Sequence, residues 1–205
     1  ADNDANNPNN WSHGHVPTGT DVAKFDDAVS SANCNFSGNI SCGGINVTSG
    51  YSGDIAMVTH DLTTTGDMTF DGTGNFNCGT GNLDCSGHFD NKDQDTWTRG
   101  GSTVIMRGSG KNIIATSANI LKKLIISNNT TLDATTVTRL FSQSLTVDVG
   151  VTFTCNQRVD MNDAVEINGI VSLPLGDMFF IENGTLSVAG TLTSTGLLKI
   201  SGTDV

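Results

Sequence analysis

The chain has 205 residues, with 21 acidic and 10 basic side chains and a formal net charge of −11. Nucleic-acid binding needs clustered Lys and Arg, and the only adjacent basic residues are Lys122 and Lys123, so this composition predicts no nucleic-acid partner. No apolar run reaches the roughly 18 residues of a membrane-spanning helix, so the sequence predicts no membrane span.

Residues 1–21 form a polar segment at the start of the chain. Asn and Asp dominate the first ten residues, where Ala is the only apolar residue type beside one Pro. Such a segment cannot bury enough apolar surface to fold alone, so we predict an extended arm that lies on the rest of the molecule or on a neighbouring subunit. Trp11 is the one large anchor of this arm, and we predict that it takes part in assembly.

Residues 22–32 fit two structures. Val22, Phe25 and Val29 have helical spacing behind Thr20, a good N-cap residue, whereas Val22–Phe25 could equally be a strand. Either element would cover the first unit of a stack of repeats, which needs such a cap. We therefore expect an N-terminal cap near residues 22–32.

The residues that could cross-link or bind metal give weak signals. The five cysteines are Cys34, Cys42, Cys78, Cys85 and Cys155. Cys34 and Cys42 are the best candidates for a disulfide, and burial as small apolar side chains is the alternative. There is no Cys-x-x-Cys pair, and His13 and His15 have no clear third ligand. The sequence therefore predicts no metal site of these kinds and no cofactor.

Apolar pairs recur every 20 or 21 residues from residue 83 onward. The pairs are Leu83/Cys85, Val104/Met106, Leu124/Ile126, Leu145/Val147, Val165/Ile167 and Leu186/Val188. Two positions after them stand Gly87, Gly108, Asn128, Val149, Gly169 and Gly190. The spacing within a pair is that of a strand, because alternate side chains of a strand point to the same face. The glycines accept a positive φ at low cost, so a tight corner is predicted after each inward pair.

Two further apolar series keep the same step. The second consists of Leu132, Val151/Phe153, Ile170 and Leu192, and the third of Leu140, Val159, Phe179/Ile181 and Leu198/Ile200. Three short strands per repeat predict an all-β fold, a three-sided parallel β-solenoid with about 20 residues per coil and about eight or nine coils. Leucine-rich repeats have a similar period, but the residues between these strands favour turns over the helical segment that such repeats need. Residues 22–205 are thus expected to form a single solenoid domain.

A polar loop at residues 88–102 interrupts the repeat. Asp90, Asp93 and Asp95 could bind Ca²⁺ through their carboxylate oxygens, but their spacing does not match the EF-hand loop. A solvated loop without a metal is the alternative that we favour.

Two surfaces are candidates for assembly. Ile105 and Ile125 stand between the inward pairs, so they are predicted to stack on the outside of consecutive coils. At the other candidate surface Leu197, Leu198 and Ile200 continue the strand pattern almost to the last residue of the sequence. An uncapped coil exposes unpaired backbone groups, so we expect a further domain or another subunit to cover it. Head-to-tail stacking would then give a homo-oligomer or a filament.

Two stretches carry a resemblance to a known family. They read N-W-S-H-G-H-V-P-T-G-T-D-V-A-K-F-D at 10–26 and N-C-N-F-S-G-N-I-S-C-G-G-I-N-V-T-S-G-Y-S-G at 33–53. This opening resembles that of repetitive β-helical proteins of phage virions and of bacterial extracellular fibres and adhesins, and T-L-S-V-A-G-T-L-T at 185–193 is similar to their repeats. The resemblance implies a right-handed parallel β-helix that is secreted or lies on a virion surface, and it transfers no catalytic residue.

We therefore expect a non-enzymatic structural subunit of an extracellular filament or of a virion surface, which assembles through its open solenoid end and its N-terminal arm. The alternative is a carbohydrate-binding or polysaccharide-depolymerising β-helix of the tailspike kind, with a cell-surface glycan as its ligand.

Overall fold

The computed structural model describes residues 3–27, 32–91, 97–98, 100–115, 120–132, 139–156, 158–174, 179–182, 184–195 and 198–201. These ranges contain one short 3-10 helix, Pro8–Asn10, and a succession of short β-strands. The strands are β1 (Val22–Phe25), β2 (Cys34–Asn35), β3 (Ile40–Cys42), β4 (Gly44–Val47), β5 (Ile55–Ala56), β6 (Leu62–Thr64), β7 (Met68–Phe70), β8 (Phe76–Asn77), β9 (Asn82–Cys85), β10 (Phe89–Asn91), β11 (Trp97–Thr98), β12 (Thr103–Met106), β13 (Lys111–Ala115), β14 (Ile120–Ile126), β15 (Thr130–Leu132), β16 (Arg139–Val147), β17 (Thr152–Cys155), β18 (Arg158–Met161), β19 (Val165–Ile167), β20 (Ile170–Leu173), β21 (Phe179–Glu182), β22 (Leu186–Val188), β23 (Thr191–Ser194) and β24 (Leu198–Ser201).

The strands form three parallel sheets, which are the three sides of a solenoid. One sheet contains nine strands in the order β1-β4-β7-β10-β13-β15-β17-β20-β23. The second contains β24-β21-β18-β16-β14-β12-β9-β6-β3, with β19 and β22 attached beside β16, and the third contains β11-β8-β5-β2. The predicted all-β, three-sided parallel solenoid is therefore confirmed.

The inward column predicted from the apolar pairs is present. Its first members are successive Cα partners on neighbouring strands, in the order Leu83, Val104, Leu124, Leu145, Val165 and Leu186. The second members follow the same order and continue back to Thr64 in β6 and Cys42 in β3. The apolar pattern missed Thr64 because its side chain is polar. Its buried hydroxyl donates a hydrogen bond of 2.8 Å to the Gly66 carbonyl oxygen, which offsets most of the cost of burial.

Leu132, Phe153 and Leu192 of the second apolar series lie on the inward face, and only Ile170 was predicted one position out of register. Phe153 pairs with Thr130 and Val171, and Leu132 pairs with Cys155. Val171 is fully buried, while Ile170 faces outward with 42% of its surface exposed, so the prediction of an inward Ile170 was wrong. A shift of one residue reverses the face of every side chain in a strand, and the adjacent apolar residues Ile170 and Val171 in β20 fit either register.

The third series has the predicted register but a different place in the fold. The strands that carry Leu140, Val159, Phe179 and Leu198 pair in that order. They belong to the eleven-stranded sheet, because the first half of the long strand β16 pairs with β18 and its second half pairs with β19. In the early coils this side of the solenoid is the separate four-stranded sheet.

The glycines predicted at the corners are required by close packing between coils and not, as predicted, by a positive φ. Among the described residues a positive φ occurs at Val58 and at six glycines, and none of the four glycines predicted at the corners is among them. Instead, a Cβ on Gly108 would collide with the carbonyl oxygen of Ser86, and one on Gly190 would collide with that of Gly169. The coils approach one another too closely at these points for any side chain.

Asn and Asp side chains form hydrogen-bonded rungs between the coils. Asn33 Oδ1 accepts from the Asp54 backbone amide at 2.9 Å, and Asp54 Oδ1 accepts from the Asn75 amide at 2.9 Å. A parallel row runs from Asn39 through Asp61 to Asn82, with distances of 2.9 and 2.7 Å. Each rung satisfies a backbone donor at a corner that the sheet ladders do not reach.

The beginning of the chain lies on the first coil. Of the two structures that fit residues 22–32, the strand forms, since β1 pairs with β4; residues 28–31 lie outside the described ranges. The arm adds a parallel bridge between Asp4 and Asn35, and Ala5 beside it is buried. The Asn6 side chain accepts from the Ser37 and Gly38 amides at 3.0 and 2.9 Å. These contacts place the arm against the outer edge of β2.

Candidate functional site

A cavity of about 510 Å³ lies between the arm and the first coil, and we call it the arm cavity. Trp11, Phe25 and Tyr51 supply its aromatic surface. The Trp11 and Phe25 rings meet edge to face with 5.7 Å between centroids, and Phe25 contacts Tyr51 at 5.5 Å. The Trp11 indole N–H donates to the Ala5 carbonyl oxygen at 2.7 Å, which fixes the indole against the arm.

Polar side chains line the rest of the arm cavity. They are Asn3, Asp4, Asn9, Asn10, Ser12, Lys24, Asp26 and Asn33. The Lys24 ammonium lies 2.6 Å from the Asp26 carboxylate, while Asp4 accepts a hydrogen bond of 2.8 Å from the Ser37 hydroxyl. Aromatic rings beside amide and charged groups are the mixture that small-molecule sites use to combine apolar contact with hydrogen bonding.

A smaller cleft of about 360 Å³ shares Trp11, Ser12 and Lys24 with the arm cavity. Both ring nitrogens of His15 face acceptors, since Nδ1 lies 3.2 Å from the His13 carbonyl oxygen and Nε2 lies 3.1 Å from the Asp21 carboxylate. Asp21 also accepts from the Thr18 amide at 3.0 Å. The hydrogen bond from Thr18, followed by that from His15, lowers the pKa of the Asp21 carboxyl.

The predicted disulfide between Cys34 and Cys42 is not formed, and both residues are free cysteines. They lie on different sides of the solenoid, because β2 belongs to the four-stranded sheet and β3 to the eleven-stranded sheet. The Cys42 thiol instead donates to the Gly44 carbonyl oxygen at 3.2 Å. Burial raises the pKa of Cys34 to about 12 and that of Cys85 to about 11. These thiols therefore carry little thiolate near neutral pH.

Only part of the predicted acidic loop lies within the described residues. Asp90 lies in β10, and Asp93 and Asp95 fall outside the described residues. Over the ranges that the structure describes, no group of three or more His, Cys, Asp or Glu side chains is placed to hold a metal ion. Within the same ranges no helix is long and apolar enough to cross a membrane.

The residues predicted for assembly occupy three separate regions. Trp11 packs on Phe25 of its own chain, at the start of the rod. Ile105 and Ile125 are Cα partners on the outside of β12 and β14, and both are partly buried. Leu198 and Ile200 lie in β24, which pairs with β21, while Leu197 is outside the described residues. The structure does not bring these three regions together.

The sequence pattern gave no sign of most of the arm cavity. Lys24 and Tyr51 lie far apart in sequence and converge only because consecutive coils stack. The dense asparagines of the arm were a compositional signal, but they do not show which surface the arm covers.

Comparisons with protein-family models, with curated proteins and with solved structures each found no match. The structure by itself defines the class of the protein: a repeat protein of the parallel β-solenoid type, with a polar arm folded over its first coil.

Proposed function

We propose that this chain is a structural, non-enzymatic β-solenoid subunit of an extracellular filament or of a virion surface. One observation carries the proposal: the inward residues of successive coils lie in register without interruption from β3 to β22. An uninterrupted core of this kind makes a stiff rod, which is the mechanical property that a fibre or a surface subunit needs. The resemblance of the opening segments to those of phage and bacterial β-helical proteins supports the location.

Assembly in this proposal uses the end of the rod formed by β22, β23 and β24. Among the described strands, each of these three has a partner on one side only. Val188 belongs to the inward column, yet 44% of its surface is exposed. A second copy laid over this end would pair the open strand edges and bury Val188. The arm caps the opposite end, because Trp11 and Ala5 are committed to contacts within the chain.

Negative-stain microscopy and sedimentation of the purified full chain test this function. Filaments or a fixed oligomer are expected at tens of micromolar protein. Val188→Asp should abolish assembly, whereas the matched Val149→Asp should not, because Val149 is 82% exposed at a turn outside the inward column. A wild-type chain that stays monomeric would reject the proposal.

Carbohydrate binding is the second candidate, and the arm cavity is the observation that favours it. The partly exposed Trp11 offers aromatic surface to a sugar ring, and Asn9 and Lys24 offer hydrogen-bond donors to its hydroxyl groups. Binding to a panel of bacterial surface polysaccharides would reveal the activity. Asn9→Ala should then weaken binding about 5- to 10-fold, the cost of one hydrogen bond. The exposed Asn162, at a distant corner, provides the control Asn162→Ala, which should leave binding unchanged.

A further inference from the structure

One rung between the coils is made by a histidine rather than by Asn or Asp. The His88 backbone amide donates to Asp67 Oδ1 at 2.8 Å, so His88 occupies the position that Asn75 and Asn82 hold in the other rows. One coil further on, the backbone amide of Asn112 donates to His88 Nδ1 at 3.0 Å. The imidazole therefore connects the corner before β10 to the strand β13.

The direction of this hydrogen bond fixes the protonation of the ring. A backbone N–H can only donate, so Nδ1 must be the unprotonated, accepting nitrogen, and the neutral ring carries its proton on Nε2. A proton added at Nδ1 would point at the Asn112 N–H, and two donors cannot bond to each other. The imidazolium form consequently leaves the Asn112 amide without this acceptor.

The other rungs do not share this sensitivity. Asn33, Asn39 and Asn129 accept through amide oxygens that do not titrate. Asp54 and Asp61 accept through carboxylate oxygens, and a carboxyl group keeps an accepting oxygen even when it is protonated. Among the described rungs, only the one at His88 loses its acceptor when the side chain is protonated.

The charged surroundings of His88 come from the two coils that flank it and from its own strand. Asp67 lies on the preceding coil and bonds to the His88 backbone. Lys111 lies beside Asn112 on the following coil, and Asp90 follows in β10. A proton at Nδ1 disrupts the hydrogen bond from the Asn112 amide whatever the charges on these neighbours.

We propose that His88 is an acid-sensitive rung, whose protonation breaks the hydrogen bond from the Asn112 amide and loosens the junction between β10 and β13. Mild acid then softens the rod at one corner while the rungs of Asn and Asp hold the other coils together. This device goes beyond the proposed structural function and does not depend on it, because it concerns contacts within a single chain.

Amide hydrogen exchange at Asn112, measured by NMR at pH 7.5 and pH 5.5 and corrected for intrinsic exchange, tests the proposal. The wild-type protein should lose protection at Asn112 as the His88 ring is protonated, by about 5- to 10-fold once protonation is complete, the equivalent of one hydrogen bond. His88→Asn replaces the ring with the acceptor used in other rungs, so Asn112 should keep its protection at both pH values. His60→Asn, which alters a histidine whose backbone amide bonds to Met57, should behave like the wild type.

Two outcomes would overturn the proposal. One is an equal loss of Asn112 protection at pH 5.5 in the wild type and in His88→Asn. The other comes from the ¹⁵N shifts of the His88 ring in the wild type, which report the tautomer directly and do not depend on any variant folding. A proton on Nδ1 at pH 7.5 would show that the rung is not made as described.

Discussion

Leu124 and Leu145 are Cα partners on the neighbouring parallel strands β14 and β16, and both side chains are buried. The residues are 21 positions apart in sequence, so one coil of the solenoid returns the chain directly over itself. The neighbouring pair, Ile125 and Thr146, has the same register on the outer face.

Truncation of the inward Leu124 should therefore lower the free energy of unfolding far more than truncation of its outward neighbour Ile125. Leu124→Ala removes buried methyl groups and leaves a cavity between coils, so we expect a loss of about 2–5 kcal/mol in the free energy of unfolding. Ile125→Ala, at a partly exposed outward position, should cost less than about 1.5 kcal/mol. Urea unfolding followed by circular dichroism measures both. Equal losses would show that the two faces have been assigned wrongly.

Val58 is the one described residue other than glycine with a positive φ, at 60°. The corresponding corners of the next two coils hold Gly79 and Gly100, with φ of 57° and 52°. Relief of about 1–2 kcal/mol of strain should outweigh the roughly 0.5–1 kcal/mol entropic cost of glycine, so Val58→Gly should stabilise the chain by up to about 1 kcal/mol. Val22→Gly, at an exposed strand position with ordinary φ, should destabilise it instead. Thermal unfolding of the two variants measures these changes in stability. A similar loss of stability in both variants would show that Val58 is not strained.

The thiols should resist modification in the folded protein. Burial raises the pKa of Cys34 and Cys78 to about 12 and that of Cys85 to about 11, so the reactive thiolate is scarce at pH 8. An aromatic disulfide reagent should react with few or none of the five cysteines in native protein over minutes. In guanidinium chloride without reductant it should react with all five. A count of three in denaturant would instead indicate a disulfide.

The loop that precedes β1 should respond to strong acid through Asp21. Hydrogen bonds from Thr18 and His15 lower the pKa of this carboxyl in the folded chain. Its contacts therefore stabilise the loop above the unfolded value of about 3.9 and are lost as the pH falls through the lower, folded value. The Thr18 amide resonance should shift over that acidic window in the wild type and should stay constant in Asp21→Asn. A change in the Thr18 resonance centred above pH 4 would show that the pKa of Asp21 is not lowered.

Much of the fold followed from apolar spacing because a solenoid repeats the same environment at a fixed interval. The inward column from Leu83 to Leu186 was predicted residue by residue. Apolar spacing does not reveal core positions that polar residues occupy: Thr64 and Thr130 are buried, and each donates a hydrogen bond to a nearby carbonyl oxygen. A threonine whose hydroxyl is hydrogen-bonded so locally can be buried, but it does not count as apolar in a hydrophobic pattern.

The candidate sites were less accessible to sequence reasoning because they depend on contacts between coils. The arm cavity needs Trp11 and Tyr51 on one side of the first coils, and no periodicity relates these two residues. The role of His88 depends on the Asn112 amide, 24 positions later, so a lone histidine near a loop gave no indication of it. The predicted Cys34–Cys42 disulfide failed for the same reason, since a short separation in sequence here spans two sides of the solenoid.

The step of about 21 residues between partner strands also bears on how the chain is made. Each coil needs only the coil before it as a template, so a strand can dock while later parts of the polypeptide are still on the ribosome. At the first described coil, the arm supplies a neighbour for β2 through the bridge between Asp4 and Asn35. Folding can thus proceed in the direction of translation, from a coil whose strand β2 is already paired with the arm.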